Sequence, residues 1–315
     1  MTFAKIISTG SYLPEKVVTN FDLAQQVDTS DEWIVKRTGI NSRHIISAND
    51  TAVSMGAKAA ERALEKGGFT PDDIDLIIVA TVSAEKIFPS AACCIQKELN
   101  IPPCMAFDVQ AACSGFIYAL SIATQYIENN QAKRALIIGT EAMSRVIDWT
   151  DRTTCVLFGD GAGAMILEAA DVAGVLAVKL KADGNYQDLL YLNNAQTTED
   201  KYLRMEGNAL FRLAVNYLEE ITLDVLKKAN FSADQIDWFI PHQANIRILQ
   251  ATAKKLGISM EKFIVTIGEH ANTSAASVPM ALDHALSQGT IKRGEHLLFE
   301  AIGGGLTWGA ALVRY

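Results

Sequence analysis

The sequence predicts an α/β fold built from two related halves. Its 315 residues can form one large domain or two moderate ones, and 49% hydrophobic with 20% charged residues is typical of globular proteins. Two segments about 160 residues apart follow one pattern, PDDIDLIIVATVS at 71–83 and SADQIDWFIPHQA at 232–244. Each has an acidic turn, then Ile-Asp, then an apolar run typical of a buried strand.

Later elements recur in the same order. The paired strand candidates are RALIIGTEA (134–142) with EHLLFEAIGGG (295–305), and FGDGAGAMILEA (158–169) with LTWGAALVRY (306–315). Amphipathic helices are predicted over 52–68 and 208–229, one in each half. The repeated order predicts a duplication with halves at 1–170 and 171–315, although unrelated α/β units that merely look alike would give a similar pattern.

Each half also contains a small-residue helix start, QAACSGF at 110–116 and NTSAASVPMAL at 272–282. If the halves are related by pseudo-symmetry, these two helix starts meet near the centre of the molecule. We therefore expect Cys113 and Asn272 to lie close together.

Composition excludes several classes of protein. No apolar run approaches the ~18–20 residues that a membrane span requires, and the N-terminal MTFAKIISTGSYLP lacks a signal-peptide pattern, so the cytoplasm is the expected location. A net charge of −8 argues against a nucleic-acid partner. The five cysteines are odd in number and form no CxxC pair, which favours reduced thiols over disulfides or a metal site.

Cys113 is a candidate nucleophile because it stands at the start of a helix. A helix N-terminus favours the thiolate, which is the nucleophilic form of cysteine. Small neighbours would let a substrate approach the sulfur: Ala111, Ala112, Ser114 and Gly115. The alternative is an inert buried thiol, since free cysteine is among the most buried residue types.

Three further positions are candidates for chemistry. His242 follows the apolar strand IDWFI and stands at a strand's carboxyl edge, where α/β proteins place their sites, although a lone histidine can be structural. Asn272 precedes a helix and could equally be a cap or turn residue. Gly303–Gly305 form a loop whose N–H groups could bind an oxyanion or simply make a tight turn.

Taken together, these motifs resemble a known family. AACSGF (111–116), PHQAN (241–245) and NTSAASVP (272–279), with EWIVKRTGI (32–40) and the terminal GGGLTWGAALVRY (303–315), are similar to β-ketoacyl-acyl-carrier-protein synthase III. The resemblance extends from about residue 5 to the C-terminus. It implies the thiolase-like, duplicated five-layer α-β-α-β-α fold, a homodimer, and condensation of an acyl-CoA primer, expected to be acetyl-CoA, with malonyl-acyl-carrier protein, without a cofactor or metal.

The resemblance also implies residue roles. Cys113 would be the acyl-accepting nucleophile, His242 and Asn272 the malonyl-decarboxylating pair, and Gly304 an oxyanion donor together with the backbone of Cys113. Residues matching the coenzyme A tunnel are Trp33, Arg37, Arg152, Gly207, Asn208 and Asn245. Phe88 matches the residue that closes the acyl pocket of the partner subunit. Ala271 departs from the family, which usually has glycine there, and this puts the turnover rate in question.

A basic helix face follows His242. In NIRILQATAKKL (245–256), helical spacing separates an apolar face from a basic one. The residues predicted to dock the acidic acyl carrier protein are Arg212, Arg247, Lys254 and Lys255. The alternative is an ordinary solvated face.

Rival functions share parts of this pattern. Another condensing enzyme of the same superfamily, such as a polyketide or quinolone starter synthase, would use the same three residues on other acyl groups. A Cys-His-Asn hydrolase would need water at the acyl-enzyme, and a non-catalytic binding subunit would not need all three residues.

Overall fold

The computed structural model describes residues 1–194 and 197–315, in which helices and strands alternate along both halves. The elements up to residue 170 are β1 (Phe3–Tyr12), β2 (Lys16–Thr19), α1 (Asn20–Ala24), α2 (Asp31–Thr38), β3 (Ser42–Ile45), α3 (Ala52–Gly67), β4 (Leu76–Ala80), α4 (Ala91–Glu98), β5 (Met105–Val109), α5 (Gly115–Glu128), β6 (Arg134–Ala142) and β7 (Asp160–Ala170). The later elements are β8 (Val175–Ala182), β9 (Leu190–Leu192), β10 (Leu203–Met205), α6 (Gly207–Ala229), β11 (Trp238–Pro241), α7 (Ile246–Leu256), α8 (Ile267–His270), α9 (Ser277–Ser287), β12 (His296–Gly303) and β13 (Thr307–Arg314).

Two larger sheets form the framework. Within the described ranges, the first sheet has the strand order β1-β7-β6-β4-β5 and the second the order β8-β13-β12-β11. In the first, β6 runs parallel to β4 and antiparallel to β7; in the second, β12 runs parallel to β11 and antiparallel to β13. The matching order and directions confirm the predicted duplication. The predicted boundary between residues 170 and 171 falls between β7 and β8 and stays a prediction.

The sheets enclose a central helical layer. α5 packs against β6 and β4 on one side and against β12 and β13 on the other, while α9 lies between β1 with β7 and β11 with β12. α3 covers the outer face of the first sheet and α6 that of the second. Alternation along β6 shows the layering, because Ala135 and Ile137 join the central core whereas Leu136 and Ile138 join the cluster under α3. The five-layer α-β-α-β-α fold is confirmed.

The two halves differ after their second parallel strand. In the described part of the second sheet, the counterpart of β5 is reduced to a single parallel bridge between Phe239 and Phe263, whose rings stack 5.1 Å apart. The chain that follows is held instead by Gln243, whose Oε1 accepts hydrogen bonds from the backbone N–H groups of Thr266 and Ile267 at 2.9 and 3.1 Å. This clamp ties the end of β11 to the segment that leads to Asn272.

The carboxyl ends of the parallel strands lead to the predicted site residues. β5 precedes Cys113, β11 precedes His242, and β12 ends at Gly303. This is the edge at which open α/β sheets place their ligands. No helix within residues 1–194 and 197–315 has the length and hydropathy of a membrane-spanning helix.

Candidate active site

Cys113 lies in a turn that leads directly into a central helix. One turn of 3-10 helix spans Ala112–Ser114 and α5 continues from Gly115. Ala112 adopts a positive φ of 45°, which redirects the chain from β5 into the helix. The Ser114 hydroxyl donates to the carbonyl of Ala111 at 2.8 Å and fixes the turn. Cys113 is 6% exposed, so the turn presents its thiol to an interior cavity.

Asn272 lies just before the equivalent turn of the second half. Its backbone bridges to the first half, donating to Leu157 O at 2.9 Å and accepting from Gly159 N at 3.0 Å. Its side-chain Oδ1 accepts a hydrogen bond from the backbone N–H of Ser274 at 2.9 Å. Because the oxygen is held in this way, the amide NH₂ is left to donate to a ligand.

His242 is held by a serine of helix α9. Its Nδ1 lies 2.6 Å from the Ser277 Oγ, which also accepts the backbone N–H of Gln243 at 3.3 Å. Because Ser277 accepts that N–H, its own proton is directed at Nδ1, and the ring proton lies on Nε2. Burial lowers the pKa of His242 to about 3. The side chain is therefore a neutral donor at physiological pH.

These three residues line one cavity. A cavity of about 110 Å³ is lined by Cys113, His242 and Asn272, together with the predicted coenzyme A contacts Gly207 and Asn245. The two helix starts thus meet at the centre of the molecule, as the duplication predicts. Chemically, the cavity joins one thiol to two neutral hydrogen-bond donors.

A second cavity is also lined by Cys113. It has a volume of about 400 Å³ and is lined by Cys113, Ser274 and Gly304, along with Gln110, Met143 and other residues. Phe158 and Leu190 line both cavities. Cys113 is therefore reached from two cavities that share part of their lining.

The glycine loop passes very close to Cys113. A Cβ at Gly303 would lie 2.6 Å from the Cys113 backbone nitrogen and 3.1 Å from that of Ser114. No side chain fits at such a distance, so glycine is required at this position. The close approach brings Gly304 into the lining of the larger cavity beside the sulfur.

The position of Cys113 at a helix start predicts a lowered thiol pKa, but the structure indicates a raised one. Burial raises the pKa of the Cys113 thiol to about 12, a hydrogen bond from Ser274 lowers it, and the charge of Glu141 raises it further. Burial, the largest effect, outweighs the lowering by Ser274. At neutral pH the thiol is protonated in this closed site, so its proton must leave when an acyl group is transferred.

Sequence reasoning missed Glu141 and Ser277. Glu141 is fully buried at the end of β6, and Ser274 Oγ donates to its Oε1 at 3.1 Å. A glutamate inside the apolar run RALIIGTEA is the signal that could have identified it, because a charged residue is rarely buried without a partner. The role of Ser277 depends on contact with His242 across two elements and leaves no such signal.

The remaining predicted coenzyme A contacts lie outside both cavities. The Arg37 and Arg152 guanidinium groups lie 4.8 and 5.4 Å from the ring centre of Trp33. The α2 helix that carries Trp33 and Arg37 packs against α7, near the smaller cavity. Asn208 follows Gly207 in the first turn of α6.

The predicted basic residues are exposed on α6 and α7: Arg212, Arg247, Lys254 and Lys255. The Arg247 guanidinium lies 5.6 Å from the ring centre of Phe211, which lines the smaller cavity. Lys255 is already paired with Glu219 at 2.6 Å, so its charge is largely neutralised. Arg212, Arg247 and Lys254 make no ion pair with any described residue.

Phe88 lies on the surface and outside both cavities. Its exposed fraction is 84% and that of the preceding Ile87 is 68%. The structure does not bring Phe88 to the site of its own chain. Two adjacent large apolar side chains on the surface are typical of a protein contact.

Comparison with known proteins gives one consistent family. The family model described as 3-oxoacyl-[acyl-carrier-protein (ACP)] synthase III matches residues 107–184, and the model of its C-terminal part matches residues 226–315. β-Ketoacyl-[acyl-carrier-protein] synthase III of Methylococcus capsulatus is 53% identical over 318 residues, with 99% of each chain covered. The enzyme of that name from Neisseria meningitidis serogroup A is 53% identical over 320 residues, covering both chains fully.

A solved structure agrees with these matches. The 3-oxoacyl-[acyl-carrier-protein] synthase III of Aquifex aeolicus superposes with a TM-score of 0.96 at 48% identity, covering 99% of this chain and 100% of that one. The five-layer fold, with a cysteine, a histidine and an asparagine meeting at its centre, defines a condensing acyltransferase of the thiolase type. This chain belongs to the 3-oxoacyl-[acyl-carrier-protein] synthase III family.

Proposed function

We propose that Cys113, His242 and Asn272 carry out the condensation of an acyl-CoA with malonyl-acyl-carrier protein, the reaction of this enzyme in fatty acid synthesis. The observation that carries the assignment of residues is the smaller cavity, where one thiol and two neutral donors converge. The products are a 3-oxoacyl-acyl-carrier protein, carbon dioxide and coenzyme A.

The first half-reaction transfers the acyl group to Cys113. The sulfur attacks the acyl thioester and forms another thioester of similar energy, which remains a good acyl donor to carbon. Negative charge develops on the carbonyl oxygen during the attack. The backbone N–H groups of Cys113 and Gly304 would bind that oxygen, since both residues line the larger cavity.

The second half-reaction forms a carbanion from the malonyl thioester. Loss of carbon dioxide leaves charge on the thioester oxygen as an enolate, and donors aimed at that oxygen lower the barrier. The Nε2–H of His242 and the amide NH₂ of Asn272 are those donors, because Ser277 and Ser274 occupy their other polar atoms. The carbanion then attacks the acyl group on Cys113.

Coenzyme A would enter through the smaller cavity. Gly207 and Asn245 line it and Asn208 is adjacent, so these residues would contact the extended arm of coenzyme A. Trp33 with its two neighbouring guanidinium groups, Arg37 and Arg152, suits the nucleotide end, which combines an aromatic base with phosphates. Acetyl-CoA is the proposed primer, and the reaction uses no cofactor or metal.

The acyl carrier protein would dock beside the same cavity. Arg212, Arg247 and Lys254 offer unpaired positive charge to an acidic partner, and Lys255 contributes less because of Glu219. The enzyme is proposed to act as a cytoplasmic homodimer. In that dimer the exposed Phe88 would close the acyl pocket of the partner subunit.

A two-step assay tests this function against its rivals. The protein is incubated with acetyl-CoA, analysed by mass spectrometry, and then given malonyl-acyl-carrier protein. A condensing enzyme forms a stable acetyl-protein and then a ketoacyl product. A hydrolase releases only acetate, and a binding subunit does neither; either result would contradict the proposal.

The primer class is tested with a panel of acyl-CoAs. The larger cavity of about 400 Å³ opens at Cys113, and acetyl occupies little of it. Mass spectrometry of the acyl-enzyme formed from straight and branched primers separates a synthase that prefers acetyl from a starter synthase for longer chains. Preferred acylation by a longer primer would contradict the acetyl assignment.

A further inference from the structure

Glu141 is a buried carboxyl group that neither half-reaction above uses. By alternation along β6, its side chain shares the central face with Ala135 and Ile137. Burial raises the pKa of Glu141 to about 7. Its charge also acts on the Cys113 thiol. A titratable group that influences the nucleophile in this way can take part in proton transfer.

Two hydroxyl groups direct their protons at one oxygen of Glu141. Ser83 Oγ accepts the backbone N–H of Ala142 at 2.8 Å, and Thr81 Oγ1 accepts that of Ser83 at 3.2 Å. Their own protons are thereby directed at Glu141 Oε2, at 2.5 and 3.3 Å. Oε2 is thus occupied by fixed hydroxyl donors, and Oε1 is the oxygen that faces Ser274 at 3.1 Å. The backbone N–H of Val82 is shared between the two oxygens, at 3.3 Å from Oε1 and 3.2 Å from Oε2.

Ser274 connects Glu141 to Cys113. Ser274 and Cys113 line the same cavity, their two turns are in contact, and the Ser274 hydroxyl lowers the pKa of the Cys113 thiol. Unlike Ser83, the Ser274 hydroxyl receives no backbone N–H from any described residue. Its proton can therefore turn toward either Glu141 Oε1 or the sulfur.

His242 is poorly placed to accept the thiol proton. Its Nδ1 receives the proton of Ser277, and its Nε2 already carries the ring proton. Burial lowers the pKa of His242 to about 3, which disfavours the imidazolium ion. Another group must accept the proton when Cys113 attacks.

We propose that Cys113, Ser274 and Glu141 form a proton-transfer chain, in which the Ser274 hydroxyl takes the thiol proton of Cys113 and passes its own proton to Glu141 Oε1. The inference rests on the function proposed above. The resting state is a thiol with a carboxylate, and the activated state is a thiolate with a carboxylic acid. Because the cluster keeps one negative charge in both states, the transfer needs no ion from solvent.

The chain balances across the whole reaction. When the thiolate attacks, the sulfur–carbon bond forms, the bond to coenzyme A breaks, and the coenzyme A thiolate takes a proton from solvent. Glu141 keeps its proton while Cys113 is acylated. When the carbanion attacks the acyl group, Cys113 leaves as a thiolate and regains that proton through Ser274.

Glu141→Gln tests the proton acceptor. The amide keeps the shape of the carboxyl group but cannot take a proton, and general acid–base catalysis contributes about 10²–10⁴-fold. We expect single-turnover acetyl transfer to Cys113 to slow by about 10²-fold. If Glu141 merely repelled the thiolate, removing its charge would accelerate transfer. An unchanged or faster rate would overturn the proposal.

Ser274→Gly removes the middle of the chain with little other disturbance. The φ of Ser274 is 50°, which glycine adopts freely, and the backbone N–H that holds Asn272 remains. Acetyl transfer should fall as in Glu141→Gln, while carbon dioxide release from malonyl carrier protein should persist. Equal loss of both steps would indicate a structural role and reject the chain.

Glu300→Gln is the matched control. Glu300 is also buried, and burial raises its pKa to about 7. It accepts from Thr222 under α6 and lies outside both cavities. We expect it to retain the normal rate of acetyl transfer. A loss as large as that of Glu141→Gln would reject the proposal, since any buried glutamate would then have the same effect.

Infrared difference spectroscopy observes the proton directly. Acylation with acetyl-CoA carrying an isotope-labelled carbonyl should produce the C=O stretch of a protonated carboxyl group, and Glu141→Gln should lack this band. Mass spectrometry of the same wild-type sample shows whether Cys113 is acylated. An acylated sample without the band would overturn the proton chain, whereas a sample without acyl-enzyme would overturn the proposed function.

Discussion

The turns Ala112–Ser114 and Ser274–Ala276 have similar backbones and different side-chain chemistry. Each is one turn of 3-10 helix, each begins at a non-glycine residue of positive φ, 45° at Ala112 and 50° at Ser274, and each leads into a central helix. Such conformations cost of order 1–3 kcal/mol and concentrate at functional sites. The duplication therefore preserved a strained helix entry in both halves.

The side chains on these turns differ. The first turn presents a thiol, Cys113, to both cavities. The second presents the Ser274 hydroxyl to Glu141 and uses its backbone N–H to orient Asn272. One helix entry thus carries the proposed nucleophile, and the other orients groups around it. The comparison teaches that two copies of one helix entry can present different side chains to a shared site.

The largest expected effect is on the first turn. Cys113→Ser should abolish condensation, because loss of a covalent nucleophile can cost about 10⁶ in rate. Peptide mapping after acetyl-CoA treatment should find the label on Cys113 alone. Cys93 is exposed and serves as the internal control, since simple accessibility would favour it. Label on Cys93, Cys94, Cys104 or Cys155 instead would show that the nucleophile is misassigned.

The next effect concerns the donor that serves the second half-reaction. His242→Ala should lower carbon dioxide release from malonyl carrier protein by about 10²–10³-fold, the usual cost of one preorganised donor. Ser277→Ala should lower the rate of carbon dioxide release less, because the imidazole remains and only the hydrogen bond that fixes its tautomer is lost. Carbon dioxide release is measured in a single turnover. A larger loss of carbon dioxide release in Ser277→Ala than in His242→Ala would contradict the claim that Ser277 acts by fixing the His242 tautomer.

A smaller effect is expected at the docking surface. Exposed charge pairs contribute about 0.2–1 kcal/mol each, so reversing Arg247 and Lys254 together should raise the KM for malonyl carrier protein roughly 10-fold. Acetyl transfer from coenzyme A should change far less. The control is Lys292→Glu, an exposed lysine before β12 at the opposite end of the second sheet. An equal loss with both substrates would remove the docking role.

The smallest effect concerns Ala271, which precedes Asn272. Ala271 has φ 55° and ψ −160°, a region that is almost confined to glycine. Relief of about 1–3 kcal/mol of strain exceeds the roughly 0.5–1 kcal/mol entropy cost of glycine, so Ala271→Gly should raise the free energy of unfolding by about 1 kcal/mol. Unfolding in denaturant measures this change in the free energy of unfolding. Ala276→Gly, at an ordinary φ of −75°, should destabilise instead, and equal destabilisation by both would refute the strain.

Local patterns predicted much of this structure. The repeated order of apolar runs predicted the duplicated layers, because strands that are buried on both faces have continuous hydrophobic sequences. The helix predicted over 208–229 is observed as Gly207–Ala229, and that over 52–68 as Ala52–Gly67. Cys113, His242 and Asn272 were identifiable because each stands beside a strand end or a helix start.

Other features depend on contacts that no local pattern records. The partners of Glu141 come from the loop after β4 and from the second half, so its hydrogen-bond network is purely tertiary. The same is true of the Ser277 contact that sets the His242 tautomer. Burial of the thiol reversed the sequence argument on Cys113, because a helix terminus is visible in a sequence and desolvation is not.

The proposed role of Asn272 in the second half-reaction alone is tested most directly with Asn272→Ala. Two single-turnover assays are run on this variant, one for acetyl transfer from acetyl-CoA to Cys113 and one for carbon dioxide release from malonyl carrier protein. Because Asn272 is proposed to donate to charge that develops only in the second half-reaction, acetyl transfer should persist while carbon dioxide release falls by about 10²–10³-fold. Loss of acetyl transfer with normal carbon dioxide release would contradict the account.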